Sequence, residues 1–360
     1  MLKIEMLLAG HGDCLWIEYG DPANPRRVLI DGGATGTYKR ALRPKLLALP
    51  EKERRFELLI VTHIDADHIT GVLELLQDEN TGFKANDIWF NGYRHLPDEA
   101  PDTMGAVQGE KLTTLLVKPG VSWNAAFGRR AVVVPPDGPL PRVELPGGLL
   151  LTLLSPTPAT LADLKPQWEK EVRKAGLDSS VEPPGEMETE EGFELLGVPD
   201  VDALASQPFV EDAAEANGSS VAVLAEFEGR SLLLAGDAHP SVMADAIRRI
   251  EPTRRDAQGR LPVDACKLPH HASKANVSRG LLGALACQQY LFSTNGAYFQ
   301  HPDPQAVARV IKWGGKQPVL AFNYRTKYNE PWASKPLRER HRYAAAYPAS
   351  ESEGIALEWR

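Results

Sequence analysis

Four side chains with metal-binding chemistry, His63, Asp65, Asp67 and His68, fall within six residues in the stretch Leu58-Leu59-Ile60-Val61-Thr62-His63-Ile64-Asp65-Ala66-Asp67-His68-Ile69-Thr70-Gly71-Val72. An apolar run precedes them and an apolar-periodic segment follows. The pattern predicts a buried strand, a tight loop and a helix over 69–76. Imidazoles and carboxylates crowded at a strand end would repel or stay unsatisfied unless a cation gathered them, and a rigid sheet can hold such a cation in register. The competing reading of the same stretch is an Asp-rich helix cap with two incidental histidines.

Two later stretches carry the same kinds of group. Ser231-Leu232-Leu233-Leu234-Ala235-Gly236-Asp237 delivers a carboxylate through a glycine turn, and Ala265-Cys266-Lys267-Leu268-Pro269-His270-His271-Ala272-Ser273 delivers a histidine pair. Three ligand-bearing strand ends in this order resemble the metallo-β-lactamase superfamily, whose histidine-x-histidine-x-aspartate-histidine loop is similar to residues 63–68, with Asp65 in place of the second histidine. An aspartate at that place resembles the soluble hydrolase domain of the ComEC-type competence proteins. The resemblance extends to Gly10-His11-Gly12-Asp13-Cys14 with Val28-Leu29-Ile30-Asp31-Gly32-Gly33, to Asn217-Gly218-Ser219-Ser220-Val221, and to Ser293-Thr294-Asn295-Gly296 with His301-Pro302. Residues 80–216 contain no motif that matches.

The resemblance implies an α/β (α+β) class, four-layer αββα sandwich with the metal site at the edge between its sheets. It implies one domain over 1–360 with an insertion at about 80–216, and two divalent metal ions, zinc or manganese. His63 and Asp65 would hold the first ion, Asp67 and His68 the second together with one of His270 and His271, and Asp237 would bridge. With Asp65 replacing an imidazole and no third histidine matched, the first site is harder and weaker, which shifts its preference toward manganese. Asp31 is expected either to support the metal loop by hydrogen bonding or to form an Asx turn. His301, grouped with Asp67 as catalytic, is expected either to bind a substrate oxygen or protonate a leaving group, or to cap the helix beginning at Pro304. Asn217, Ser219, Ser220, Ser273, Lys274 and Asn295 are expected phosphate contacts by their position in the matched motifs.

The expected chemistry follows from the metals. A cation lowers the pKa of bound water toward ~7, and two ions ~3.5–4 Å apart can set a hydroxide in line with a scissile ester while neutralising charge on the attacking and leaving oxygens. The function expected first is a metal-dependent phosphodiesterase or nuclease. The alternatives are a hydrolase of a lactone, β-lactam or thioester, its apolar pocket supplied by Trp89, Phe90, Tyr93, Trp123 and Phe127, and a non-catalytic metal-binding signalling protein.

Positioning these residues requires strands, expected over 2–8, 15–19, 27–30, 87–93, 149–154, 220–227, 231–235, 289–293 and 354–359, with the histidine pair on a further strand. Helices are expected over 108–116, 160–174 with a threonine N-cap, 242–250 and 304–313. His95 reads as a pocket-lining or surface histidine rather than a ligand. A chain of 360 residues, 43% of them hydrophobic, can fill one large elaborated core. Cys14, Cys266 and Cys287 lie in apolar contexts that suit buried thiols and a reducing cytoplasm. No stretch approaches the ~18 apolar residues of a membrane span, so a soluble protein without a membrane partner is expected. The net charge of −8 argues against a polyanionic substrate, but residues 178–215 hold twelve acids and no Lys or Arg, leaving +4 on the rest of the chain. A nucleic acid or phosphodiester partner is therefore compatible with the composition. The acidic stretch itself has the composition of a mobile loop.

Overall fold

The computed structural model describes residues 1–96, 107–175 and 198–360. The first part of the chain forms β1 (Leu2–Met6), β2 (Leu15–Tyr19), β3 (Arg26–Ile30), β4 (Arg55–Phe56), β5 (Leu58–Ile60), β6 (Lys84–Ala85) and β7 (Ile88–Trp89). The second part forms β8 (Arg142–Glu144), β9 (Leu150–Ser155), β10 (Ala222–Phe227), β11 (Arg230–Leu234), β12 (Leu261–Lys267), β13 (Leu285–Phe292), β14 (Val319–Phe322), β15 (Ala344–Ala346) and β16 (Ile355–Trp359). One sheet has the order β16-β1-β2-β3-β5-β7 and the other β15-β14-β13-β12-β11-β10-β9-β8, with β4 and β6 forming a separate ribbon.

Successive residues of a strand point to opposite faces, and here both faces are apolar. In the first sheet Ile17, Val28, Ile30, Leu58 and Ile60 enter a core shared with the second sheet. Their neighbours Trp16, Leu29 and Leu59 enter a second core. That outer core is closed by α1 (Arg43–Leu47), α2 (Ala66–Gln77), α3 (Val107–Leu116) and α4 (Pro158–Ala175), through Leu46, Val72, Leu112 and Leu164 among others. Beyond the short α5 (Val201–Ala205) and α6 (Glu215–Gly218), the helices α7 (Pro240–Arg249), α8 (Arg279–Ala284), α9 (Pro304–Trp313) and α10 (Lys335–His341) close the far side with Met243, Leu281, Val307 and Leu337. The result is the αββα arrangement, with sheet against sheet at its centre.

Four details depart from the sequence reading. Within 80–216 the strands expected at 87–93 and 149–154 are present as β7 and β9, and β8, which was not expected, pairs with β9 at the edge of the second sheet. Helix α4 begins earlier than expected: Thr157 Oγ1 accepts from the Thr160 amide at 3.2 Å, and Pro158, with its preset φ, takes the first helical position. The first part of the acidic stretch, 178–197, lies outside the described residues. Its remainder is folded, since α5 is capped by Asp200 and buries Val201 and Ala205 beside α9. The histidine pair is not on a strand, because β12 ends at Lys267 and His270–Ala272 form a tight turn. Among the described residues no helix is long and apolar enough to cross a membrane. All three cysteines are buried and unpaired.

Candidate metal centre

Three loops bring the cluster together. The first leaves β5 and enters α2, where Asp65 occupies the N-cap position yet makes no side-chain capping bond. The carboxylate faces His63 instead, with Asp65 Oδ2 at 3.4 Å from His63 Nε2, which removes the plain helix-cap reading. Beneath it the exit of β3 touches α2 backbone to backbone: a Cβ on Gly32 would lie 2.2 Å from the Val72 amide nitrogen, so only glycine permits the approach. The second loop turns at Gly236, φ 52°, and sets Asp237, whose amide donates to Ser220 Oγ at 3.0 Å. In the third, His270, His271 and Ala272 are consecutive left-handed residues with φ of 45°, 50° and 65°. Such conformations disfavour L-residues and persist where the surrounding structure enforces them.

The side chains converge on one oxygen. Asp237 Oδ2 lies 3.3 Å from His68 Nε2, 3.6 Å from His271 Nε2, 3.9 Å from His270 Nε2 and 4.0 Å from His63 Nε2. Asp67 Oδ2 lies 3.2 Å from His271 Nε2 and 3.8 Å from His68 Nε2. Two triads, His63-His68-Asp237 and Asp67-His68-His271, thus gather ligand atoms within 4.8 Å of one another and share His68. Ligands bonded at ~2.0–2.2 Å to a single tetrahedral ion lie roughly 3.3–3.6 Å apart. His63 Nε2 and Asp237 Oδ1 are buried without hydrogen-bond partners, a state that costs about 1–3 kcal/mol per group unless something else satisfies it. The donor set and its spacing fit a divalent ion. Both members of the 270–271 pair reach Asp237, whereas His271 alone of the two also faces Asp67.

The electrostatics agree. Burial would lower His68 and His271, but Asp237, with Asp67 and Asp31 around His68 and Asp13 and Asp67 around His271, raises both, His271 to about 9. Despite burial, the positive imidazoles hold Asp67 and Asp237 well below the usual carboxylate range. A pocket negative enough to keep protons on its imidazoles attracts a divalent cation, which would displace those protons.

The remaining imidazole nitrogens are fixed from behind. Asp31 accepts from the Thr62 amide at 2.8 Å and from Thr62 Oγ1 at 2.7 Å, and lies 2.8 Å from His68 Nδ1. Proton donation by Nδ1 leaves Nε2 facing the cluster. His271 Nδ1 is held in the same way by the Ser293 carbonyl at 2.7 Å. Asp31→Asn is expected to weaken metal affinity by about 10- to 100-fold. Competition against a chromophoric chelator measures this, and an affinity equal to wild type would leave Asp31 as a brace for Thr62 alone.

Several groups around the cluster went unremarked in the sequence. Lys267 is fully buried and paired with Asp13; its ammonium donates to the Gly236 carbonyl at 3.2 Å and lies 3.8 Å from Asp237 Oδ1. Asp212, from the acidic stretch, lies 3.4 Å from His270 Nδ1 and accepts from Asn217 Nδ2 at 2.7 Å and Asn276 Nδ2 at 3.0 Å. A lysine at the end of a mostly apolar strand, three residues before His270, was the available signal for the first; an acid among twelve offered none for the second.

The expected substrate contacts separate into two kinds. Asn217 lies 3.3 Å from His270 Nδ1 and Ser220 holds Asp237, so both act on the cluster. Ser219 Oγ instead donates to the Ala216 carbonyl, Ser273 Oγ accepts from the Ala275 amide, and Asn295 Oδ1 accepts from the Ala297 amide, each serving its own turn. The Lys274 amide donates to Asp303 at 2.6 Å. His301 meets the His270 ring edge-on at 5.6 Å; burial and the neighbouring His270 and His271 push it well below the ordinary imidazole range. His95 is not a surface group. It packs edge-on against Trp123 at 4.7 Å, and burial beside Arg94 pushes it down to about 4. The aromatics expected to line an apolar pocket are used in packing: Trp89, Phe90 and Trp123 are buried, Phe127 meets Trp89 at 5.0 Å, and Tyr93 meets Trp168 at 6.1 Å. A cavity of about 870 Å³ lined by Arg230, Gln258, Arg260 and Asp264, among others, shares no residue with the cluster.

Residues 9–162 match the family model of the metallo-beta-lactamase superfamily. Among solved structures the chain is similar to Zn(2+)-bound PqqB from Methylobacterium extorquens, at 12% identity and TM-score 0.41 over the whole of both chains. It is also similar to the metallo-beta-lactamase fold protein YhfI from Bacillus subtilis, at 10% identity and TM-score 0.42 over 99% of this chain and 98% of that one. A diphosphatase from the PhnP family aligns at 11% identity and TM-score 0.40 over 99% and 98% of the two chains. No curated protein matches the sequence. The two sheets with their flanking helices and the matched segment together identify the fold as the metallo-β-lactamase αβ sandwich.

Proposed function

We propose that this protein is a metal-dependent hydrolase of phosphodiesters, with nucleic acid as its substrate class, as the likeness of its motifs to the ComEC-type hydrolase domains implies. The observation that carries the reading is the convergence of four imidazole nitrogens on Asp237 Oδ2, flanked by Asp67 on one side and Asp65 on the other. Divalent ions, zinc or manganese, held by His63, Asp65 and Asp237 and by Asp67, His68, His271 and Asp237 would supply Lewis acidity toward the phosphoryl oxygens and the attacking water.

The chain's own residues do the positioning. Asp31 and the Ser293 carbonyl keep the Nε2 atoms of His68 and His271 turned inward, while Asp212, Asn217 and Asn276 grip His270 from behind. Asp67, whose side chain keeps 12% exposure, is assigned to orient the water as well as to hold an ion. His301 is assigned to a substrate oxygen, since it stands beside His270 at the rim. The unpaired buried thiols fit a cytoplasmic setting.

The test is a substrate panel under identical manganese loading. Bis(p-nitrophenyl) phosphate and DNA are expected to be cleaved, chelator abolishing both, with nitrocefin, a homoserine lactone and a glutathione thioester left intact. Turnover of a carbonyl substrate without phosphodiesterase activity would defeat this reading.

A further inference from the structure

The loop after β13 leaves two adjacent aromatic side chains in solvent, Tyr298 at 48% and Phe299 at 44% exposure. No other neighbouring aromatic pair among the described residues is so open. These rings are continuous with the metal cluster. The His11 ring stacks on Tyr298 with centroids 5.3 Å and planes 24° apart, and meets Phe299 edge-on at 6.0 Å. Phe299 in turn stacks on His301 at 5.9 Å and 25°, and His301 reaches His270. A row of rings therefore runs from His270 through His301 and Phe299 to Tyr298 and His11 at the surface.

We infer that Tyr298 and Phe299 form a stacking platform for an unpaired nucleobase beside the scissile phosphate, which makes the substrate a single-stranded nucleic acid or a nucleotide ester. The inference rests on the phosphodiesterase reading and names its substrate class. An acyl chain gains affinity from an enclosed apolar cavity, whereas the uncovered face of an exposed ring, its other face backed by His11 or His301, suits a planar base. Bases within a duplex already spend their faces on their neighbours, so a single strand is the form that can use the platform. Stacking on aromatic side chains strengthens binding by about 5- to 100-fold per base.

Calorimetric titration of the metal-loaded full chain with adenosine 5′-monophosphate and with ribose 5-phosphate tests it without turnover. The nucleotide is expected to bind about 5- to 100-fold more tightly than the sugar phosphate. Tyr298→Ala with Phe299→Ala should erase that preference while leaving metal content unchanged, and Tyr298→Phe should retain it. Equal affinity for the two ligands in the wild type, or a preference that survives the double substitution, overturns the platform. Cleavage of bis(p-nitrophenyl) phosphate by a protein with no nucleotide preference overturns the platform alone. A nucleotide preference lost on substitution, in a protein inactive on every phosphodiester, supports the platform and overturns the phosphodiesterase reading.

Discussion

Asp237→Ala is expected to strip at least one divalent ion from each chain and to lower phosphodiester turnover by about a thousandfold or more. Asp237 Oδ2 is the atom on which the imidazoles of both triads converge, so its loss removes a ligand from two positions at once. Loss of several kcal/mol of charge stabilisation at the reacting phosphate converts to that factor. His271→Ala serves as the contrast, because it breaks the Asp67-His68-His271 triad and leaves His63-His68-Asp237 whole. Elemental analysis after gel filtration should find the His271 variant with more metal than the Asp237 variant. Wild type and Asp237→Ala equally loaded would refute the ligand assignment.

Lys267→Met is expected to destabilise the protein by about 3–5 kcal/mol, the usual cost of stranding one member of a buried ion pair. Burial alone would lower the Lys267 pKa, but Asp13 and Asp237 raise it, so the ammonium is charged while wholly out of solvent. Its removal would leave Asp13, likewise buried, with a thioether in place of its ammonium partner and His271 Nδ1 at 3.5 Å. Methionine matches lysine in length and suits the fully buried position at the end of β12, which confines the loss to charge rather than packing. Lys267→Met with Asp13→Leu should recover most of the loss, because a well-packed apolar pair replaces the ion pair without leaving a charge behind. Urea unfolding of the wild type, both single variants and the double variant gives the cycle. A single variant within about 1 kcal/mol of wild type, or a double variant no better than Lys267→Met, would show that the pair carries little of the stability.

Much of the scaffold was legible because strand and helix burial repeat with short periods. The alternation of Trp16 with Ile17, and of Leu59 with Leu58 and Ile60, marks strands covered on both faces. Helix α9 begins where expected, at Pro304, which locks its first turn, whereas α7 starts two residues ahead of the expected 242, at Pro240. The strands β14 and β15 were not legible, since four residues of Val319–Phe322 and the all-alanine Ala344–Ala346 carry no period to read; they exist because β13 and then β14 offer them parallel edges. The aromatics Trp89, Phe90, Tyr93, Trp123 and Phe127 carry the same side chains whether they line a cavity or fill a core, and packing alone decides between those fates.

At the site, local spacing is enough to show which groups arrive at strand ends: His63 to His68 after one strand and Asp237 after another, with the histidine pair expected on a third strand and found in the turn after it. Tertiary structure decided which of them meet. Parallel pairing of β11 with β12 sets Leu234 opposite Lys267, so Asp237 and His270, each three residues further on, leave the sheet side by side. Pairing of β3 with β5 sets Ile30 opposite Ile60, which carries Asp31 to Thr62 and under His68. The left-handed turn at 270–272 then aims both imidazoles at one oxygen, and a segment that reads as loose and acidic supplies Asp212 behind His270. Local spacing encodes contacts within a turn or a strand end, whereas contacts between loops far apart in the chain follow from sheet register, which depends on every strand pairing at once.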